Sequence, residues 1–255
     1  MMNIKRFIGF TLTAFFIVSA VAVRAQDAGG RASGGGTQRQ NPLDINSLRD
    51  ITGSEGMDRR NKMLKDIAEA VAKGGNISDE IYTALEYMSK EGLANKTYRQ
   101  GQLLNDYPTV RRQVADQLGK IGTAKATDIL IQLCRNETVP DVQWEAISAL
   151  GNIGINENGK TVDAIFSIQK LRRYDGHSTT DTDFERIVSS AIDAFDKIDK
   201  KNNGIGNRSK QVQEFLDNIS KKHFPRRGDQ VSIQDRAKQV LEDMIKKESQ
   251  RRQES

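Results

Sequence analysis

Few residues in this chain have the chemistry to act as a nucleophile, base or metal ligand. The 255 residues hold one cysteine, Cys134, and two histidines, His177 and His223. A lone cysteine makes no internal disulfide. Cys134 directly follows Leu133, at the edge of an apolar stripe, which reads as a small buried hydrophobe and not a reactive thiol. Neither histidine belongs to a His-x-x-x-His or His-Glu pair, so no transition-metal site is expected. His177 lies near Asp175, Asp181, Asp183 and Glu185. That acidic stretch fits a weak cation site, but Asp183 and Glu185 also suit the first turn of a helix, and capping is the preferred reading. Asp199 to Gly204 echoes a calcium loop, with Asp first and Gly sixth; Lys201 and Lys210 then occupy its third and twelfth positions, where oxygen ligands are needed. Gly204-Ile205-Gly206 follows no strand and is no dinucleotide loop. These residues yield no catalytic group, no cofactor-binding group and no metal ligand. What remains is surface, above all Trp144, Arg112 and Tyr174, and its meaning depends on the elements that carry it.

Those elements are written twice. Tyr107-Pro108-Thr109-Val110-Arg111 runs on to Leu118-Gly119-Lys120-Ile121-Gly122, and Val139-Pro140-Asp141-Val142-Gln143 runs on to Leu150-Gly151-Asn152-Ile153-Gly154. Pro108 and Pro140 are 32 residues apart, as are Val110 and Val142, Leu118 and Leu150, and Gly122 and Gly154. A fixed period opened by Pro and closed by Gly marks a stacked helical repeat. Pro is tolerated in a helix's first turn, and Gly ends a helix cheaply in the left-handed conformation. Between the copies, Ala126, Ile129, Leu130 and Leu133 form a stripe at helical spacing. Each unit is therefore a helix, a turn and a second helix. Small residues on the second helix (Ala115, Ala146, Ala149) allow close approach. Looser copies of the second helix lie at Met63-Ile67-Ala70-Val71, ahead of Gly74 and Gly75, at Ile187-Ala191-Ala194-Phe195-Ile198, and at Ile233-Ala237-Val240-Leu241-Met244. First helices are predicted at Ile81-Ala84-Leu85-Met88, Ala164-Ile165-Ile168 and Val212-Phe215-Leu216-Ile219. The count is about four pairs plus a partial leading one. Nothing alternates with a period of two for long, so no strands are expected.

The pattern of Pro, Val-Arg, Ala or Val, Leu-Gly and Ile-Gly resembles HEAT repeats, in the short form found in many bacterial proteins. The resemblance implies an all-α, right-handed α-solenoid whose second helices line the concave face. Arg112 and Trp144 hold the same place in adjacent repeats, opposite the buried stripe, so they are expected side by side on that face, with Tyr174 and an inserted loop near one end. Trp and Arg are enriched at binding hot spots. An equal alternative folds Trp144 onto the inter-repeat loop. Arg111, at the family's Arg position, is expected to brace the turn through Asp106, and Gln143 replaces it in the second copy. Some HEAT-fold enzymes bind iron through His-Glu dyads on facing helices, and this sequence has none.

The rest of the chain is read from its start. Residues 1–25 have Lys5 and Arg6, an apolar run from Phe7 to Val23, and Val23-Arg24-Ala25 at the position of a signal-peptidase site. A retained membrane anchor is the other reading of that run. The formal charge is +5; removing Lys5, Arg6 and Arg24 leaves +2, too small an excess to argue for nucleic acid. Residues 26–42 are Gly-rich and poor in apolar residues, as flexible linkers are. Residues 43–249 are assigned to the solenoid and 250–255 to a polar tail. The stretch between Met88 and Val110, with Gly92 and Gly101 around Tyr98, is a long turn or a short extra helix. Arg172 to Asp183 is an insertion, and insertions in repeats map to surface loops. The function expected is that of a non-catalytic scaffold or adaptor, exported to the periplasm or beyond. It would bind a protein partner through the concave face, without nucleic acid and without membrane insertion after cleavage. A structural component of a cell-envelope assembly is the alternative. A subunit resembling those of bilin lyases, which carry similar repeats, is the third reading. The oligomeric state stays open.

Overall fold

The computed structural model describes residues 45–74, 77–168, 171, 181–224 and 231–254, all within the unit Gln40–Ser255. The expected signal segment at 1–25, the linker at 26–42, Gly75, Tyr174, His177 and most of the insertion after Leu171 lie outside the described residues.

Ten α-helices are present among the described residues. They are α1 (Asn46–Arg49), α2 (Gly53–Ala72), α3 (Asp79–Lys90), α4 (Pro108–Ile121), α5 (Ala124–Asn136), α6 (Pro140–Ile153), α7 (Lys160–Ser167), α8 (Thr182–Asn202), α9 (Ser209–Ser220) and α10 (Ile233–Glu254). They form an all-α solenoid of repeated helix pairs: α3 with α4, α5 with α6, α7 with α8 and α9 with α10, led by α2. The second helices α2, α4, α6, α8 and α10 pack side by side in that order, and α3, α5 and α7 form the other layer. The predicted stripes are the core. Val110, Val114, Leu118, Val142, Ala146, Leu150, Ile187, Ala191 and Phe195 are all buried between the layers. Pro108 and Pro140 occupy the first turns of α4 and α6, and Gly122 and Gly154 end them with φ of 73° and 77°.

The Leu-Gly signature has a steric reason that the spacing alone does not reveal. A Cβ on Gly119 would lie 2.9 Å from Ala149 Cβ, and one on Gly151 would lie 2.6 Å from Ala194 Cα. These two glycines, one period apart, are where α4 meets α6 and α6 meets α8. With hydrogen in place of a methyl group, adjacent second helices approach to backbone distance, and the interior reaches close packing. The alanines Ala115, Ala146 and Ala149 are buried as expected, but glycine sets the closest contact.

Two expectations are corrected. The segment between α3 and α4 is neither a plain turn nor a helix. It is an antiparallel hairpin, β1 (Tyr98–Arg99) with β2 (Gln102–Leu103), registered Tyr98 to Leu103 and Arg99 to Gln102. Gln100 and Gly101 both have positive φ, 52° and 80°, as two-residue hairpin turns that match strand twist require. Strands of two residues are too short to show alternation. The polar end, in turn, is not a separate tail: α10 continues through Glu254. Repeated i to i+4 backbone bonding carries the helix on past its buried face, which ends at Met244.

Candidate functional site

The dominant polar feature is buried. Arg60 of α2 meets Glu91, the residue that ends α3, through a two-pronged bond: Nε donates to Oε2 at 2.5 Å and Nη2 donates to Oε1. Its remaining N–H groups donate to the carbonyls of Leu48 (2.9 Å), Ile51 (3.1 Å) and Gly56 (2.7 Å), so all five donors are satisfied. One repeat on, Arg111 of α4 grips Glu137, the residue that ends α5, with Nε to Oε2 at 2.7 Å and Nη2 to Oε1 at 3.3 Å. Arg111 Nη1 also donates to Asp106 (2.7 Å), as expected, and back to the Glu91 carbonyl (2.9 Å). In the next repeat Gln143 keeps only the backward bond, Nε2 to the Glu137 carbonyl at 2.8 Å. The result is a ladder, Arg60–Glu91–Arg111–Glu137–Gln143, in which α2 and α4 each reach forward through an arginine to the end of the next first helix. The side chains of the two ion pairs are 1 % exposed or less. Burial pushes the Glu91 carboxyl above the usual carboxylate range, against the pull of Arg60 and Arg111. Sequence reading found Arg111 and its Asp106 contact but missed Arg60, Glu91 and Glu137. A glutamate directly after each of the first helices α3 and α5 was the available signal.

A second network closes the other end. Asp196 of α8 accepts from Arg236 of α10 (2.8 Å) and Lys200 (2.8 Å), and Asp199 accepts from Lys247 (2.5 Å). Burial opposes ionisation of Asp196, but the bonds from Lys200 and Arg236 prevail and hold its carboxyl below its usual range. The Asp199 that opens the calcium-loop echo is thus committed to a lysine. Asp181 caps α8, accepting from the N–H groups of Asp183 (2.9 Å) and Phe184 (3.1 Å). Capping is therefore carried by Asp181, one residue ahead of the first turn that holds Asp183.

Cys134 is buried and its thiol is pushed up to about 12, chiefly by desolvation, so it carries no thiolate at neutral pH. His223 is exposed. Where α7 ends early, a groove of about 520 Å³ lies between α7 and α9, floored by Phe166, Leu171 and Phe215 and edged by Asp163, Gln211 and Glu214. Asp163 is already engaged there by a fork from Arg208, at 2.6 and 2.8 Å. No helix of the described residues is long and apolar enough to cross a membrane.

The predicted surface residues separate in their environments. Arg112 is exposed on α4, and its charge acts on half-buried Glu145 of the adjacent helix α6. Glu145 is raised above the usual carboxylate range by burial and by Asp116, with Arg112 and Lys120 opposing. Trp144, on α6 one period after Arg112, is only half-exposed and packs against the core. Its Nε1 donates to Asp141 (3.2 Å), while the guanidinium of Arg186 from α8 lies 4.7 Å over its ring and also donates to Asp141 (2.7 Å). So Trp144 does not stand free in solvent; it is clasped by the next second helix. Arg186 was missed in the sequence because it lies beyond the insertion that breaks the period.

Residues 101–174 match the family model for HEAT repeats, a stretch from the hairpin turn through α4, α5, α6 and α7. HEAT repeats are generally non-catalytic scaffolds that mediate protein interactions. No curated protein matches the chain.

Two measurements probe the networks. Arg111→Leu leaves Glu137 buried without its cation and is expected to cost about 3–5 kcal/mol in urea unfolding; a loss near zero would show that the ladder is not stabilising. Asp196→Asn is expected to lower Tm at pH 7. Because the folded-state carboxyl is depressed, its contribution is present above the ordinary value of about 4 and is lost as pH falls through the folded value. The gap between wild type and variant should therefore close below the carboxylate range; a gap constant down to acid pH contradicts the assignment.

Proposed function

From a chain whose centre is a HEAT-repeat array, we propose a non-catalytic adaptor that binds a protein partner along the layer of second helices, around Arg112 and the Trp144–Arg186 clasp. The observation that carries this reading is an exposed Arg112 on α4 and, at the equivalent place one period on, a half-exposed indole on the neighbouring helix α6. Gly119 and Gly151 hold these helices at backbone distance, and the clasp holds the ring. Side chains held on stacked helices lose little entropy on docking, so their contact area converts well into affinity. Tyr174, which lies outside the described residues, is proposed as a further partner-binding residue. The charge and apolar run of residues 1–25 support export, which would place the partner in the periplasm or outside the cell.

Two experiments test this. A photo-crosslinking p-benzoylphenylalanine is placed at Arg112 in one variant and at Gln132, exposed on α5 in the other layer, in a second. A discrete higher-mass adduct in the producing cell is expected from position 112 and not from 132; adducts from 132 alone put the docking face on the wrong layer. Amino-terminal sequencing of the protein recovered outside the cytoplasm should begin at Gln26, and a retained residues 1–25 rules against cleavage.

A further inference from the structure

The hairpin between α3 and α4 has no counterpart in the next repeat. There, α5 passes to α6 through residues 137–139, whereas α3 passes to α4 through residues 91–107. The added residues are built firmly at the base. Buried Asn105 accepts from the Thr97 N–H (2.8 Å) and donates to the Asn95 carbonyl (2.9 Å), and the Leu104 N–H donates to Thr97 (2.9 Å). Below them one guanidinium, Arg111, holds both ends of the segment, donating to the Glu91 carbonyl and to Asp106. Gly92 completes the closure: a Cβ there would lie 2.8 Å from Asp106 Cα. The tip, by contrast, is left to solvent. Residues 96–102 are all exposed, and Tyr98 is 58 % exposed, one of few large apolar side chains in that state.

We propose that this hairpin is a second docking surface, for an acidic, extended segment of a partner protein. Lys96 and Arg99 flank Tyr98, and no carboxylate occurs in the chain between Glu91 and Asp106. Two cations on the strand segment that carries an exposed aromatic present complementary charge to carboxylates, and the ring offers an apolar face to the partner's chain. The built base means that little order is lost on binding. An anionic membrane is the poorer fit, since basic lipid-binding segments gather about 4–8 cations and this tip has Lys96 and Arg99 alone. This surface is separate from the second-helix layer, and it stands or falls independently of it.

The test is fluorescence anisotropy with the purified protein and a fluorescein-labelled decapeptide of alternating Glu and Thr, an extended acidic probe, beside a twin with Lys for Glu. Binding of the acidic peptide is expected, weakening steeply as salt rises, because exposed charges are screened beyond a Debye length of about 10 Å at 0.1 M. Tyr98→Ala and Arg99→Glu should each weaken it at least about tenfold, as loss of a hot-spot side chain does. Both should melt close to the wild type, since residues 96–102 are exposed. Arg112→Glu should bind the peptide normally. Equal binding by Arg99→Glu, no binding of the acidic peptide by the wild type, or binding confined to phosphatidylglycerol vesicles would each overturn the proposal.

Discussion

Two buried guanidinium–carboxylate forks govern how the N-terminal half of this molecule is assembled. Charge removed from water is stable in a protein only when partnered and hydrogen-bonded. Arg60 meets that condition by drawing in Glu91 and the carbonyls of Leu48, Ile51 and Gly56, and Arg111 by drawing in Glu137, Asp106 and the Glu91 carbonyl. Apart from the Gly56 carbonyl, in the first turn of α2, every one of those acceptors sits at the end of a helix or between helices. The forks therefore tie together chain segments that helical bonding alone does not hold. Sliding α2 against α4 would strand a buried charge, so the register between repeats is discrete.

Beyond α6 the logic changes. Gln143 stands where a third arginine would, and it has no cation to send forward. Packing between α6 and α8 rests instead on Gly151 against Ala194 and on the Trp144–Arg186 clasp, while the Phe166–Phe195–Phe215 cluster, whose ring centroids lie 5.1–5.9 Å apart, joins α7, α8 and α9. Between α8 and α10 the joints are acid–base pairs nearer solvent than the forks, where cations from the last helix reach back to Asp193, Asp196 and Asp199. Lys201 and Arg251 repeat another device, each donating to a carbonyl at the end of the preceding second helix, Asn152 and Asn203 respectively. Positive charge at a helix C-terminus complements its dipole. The stack is thus joined by buried charge at one end and by half-exposed charge at the other.

The second-helix layer and the hairpin inherit their rigidity from these joints. Trp144 is oriented by Arg186 and Asp141, which belong to the α6–α8 contact, and the hairpin is oriented by Arg111, which belongs to the ladder. Neither surface is a pocket for chemistry. Cys134 is protonated and buried, and the acids at the heart of both networks are engaged by cations.

From the sequence by itself came the repeat, its period, the helix pairs and the buried stripes, because each follows from local rules: Pro opens, Gly closes, and apolar residues recur at helical spacing. The brace from Arg111 to Asp106 was legible for the same reason, being five residues long. Tertiary structure alone decided the rest. Arg60 and Glu91 are 31 residues apart and Trp144 and Arg186 are 42 apart, and no local rule pairs them. Trp144 looked solvent-facing because helical periodicity places it opposite the stripe; the neighbouring helix, set close by Gly151, brings Arg186 over its ring. The hairpin escaped detection because two-residue strands carry no periodic signal, and its shape comes from a buried asparagine and one shared arginine. Periodicity reports which face of an element is buried. Which charges meet across elements depends on where packing brings them, and in this stack glycine contacts and buried forks set that distance.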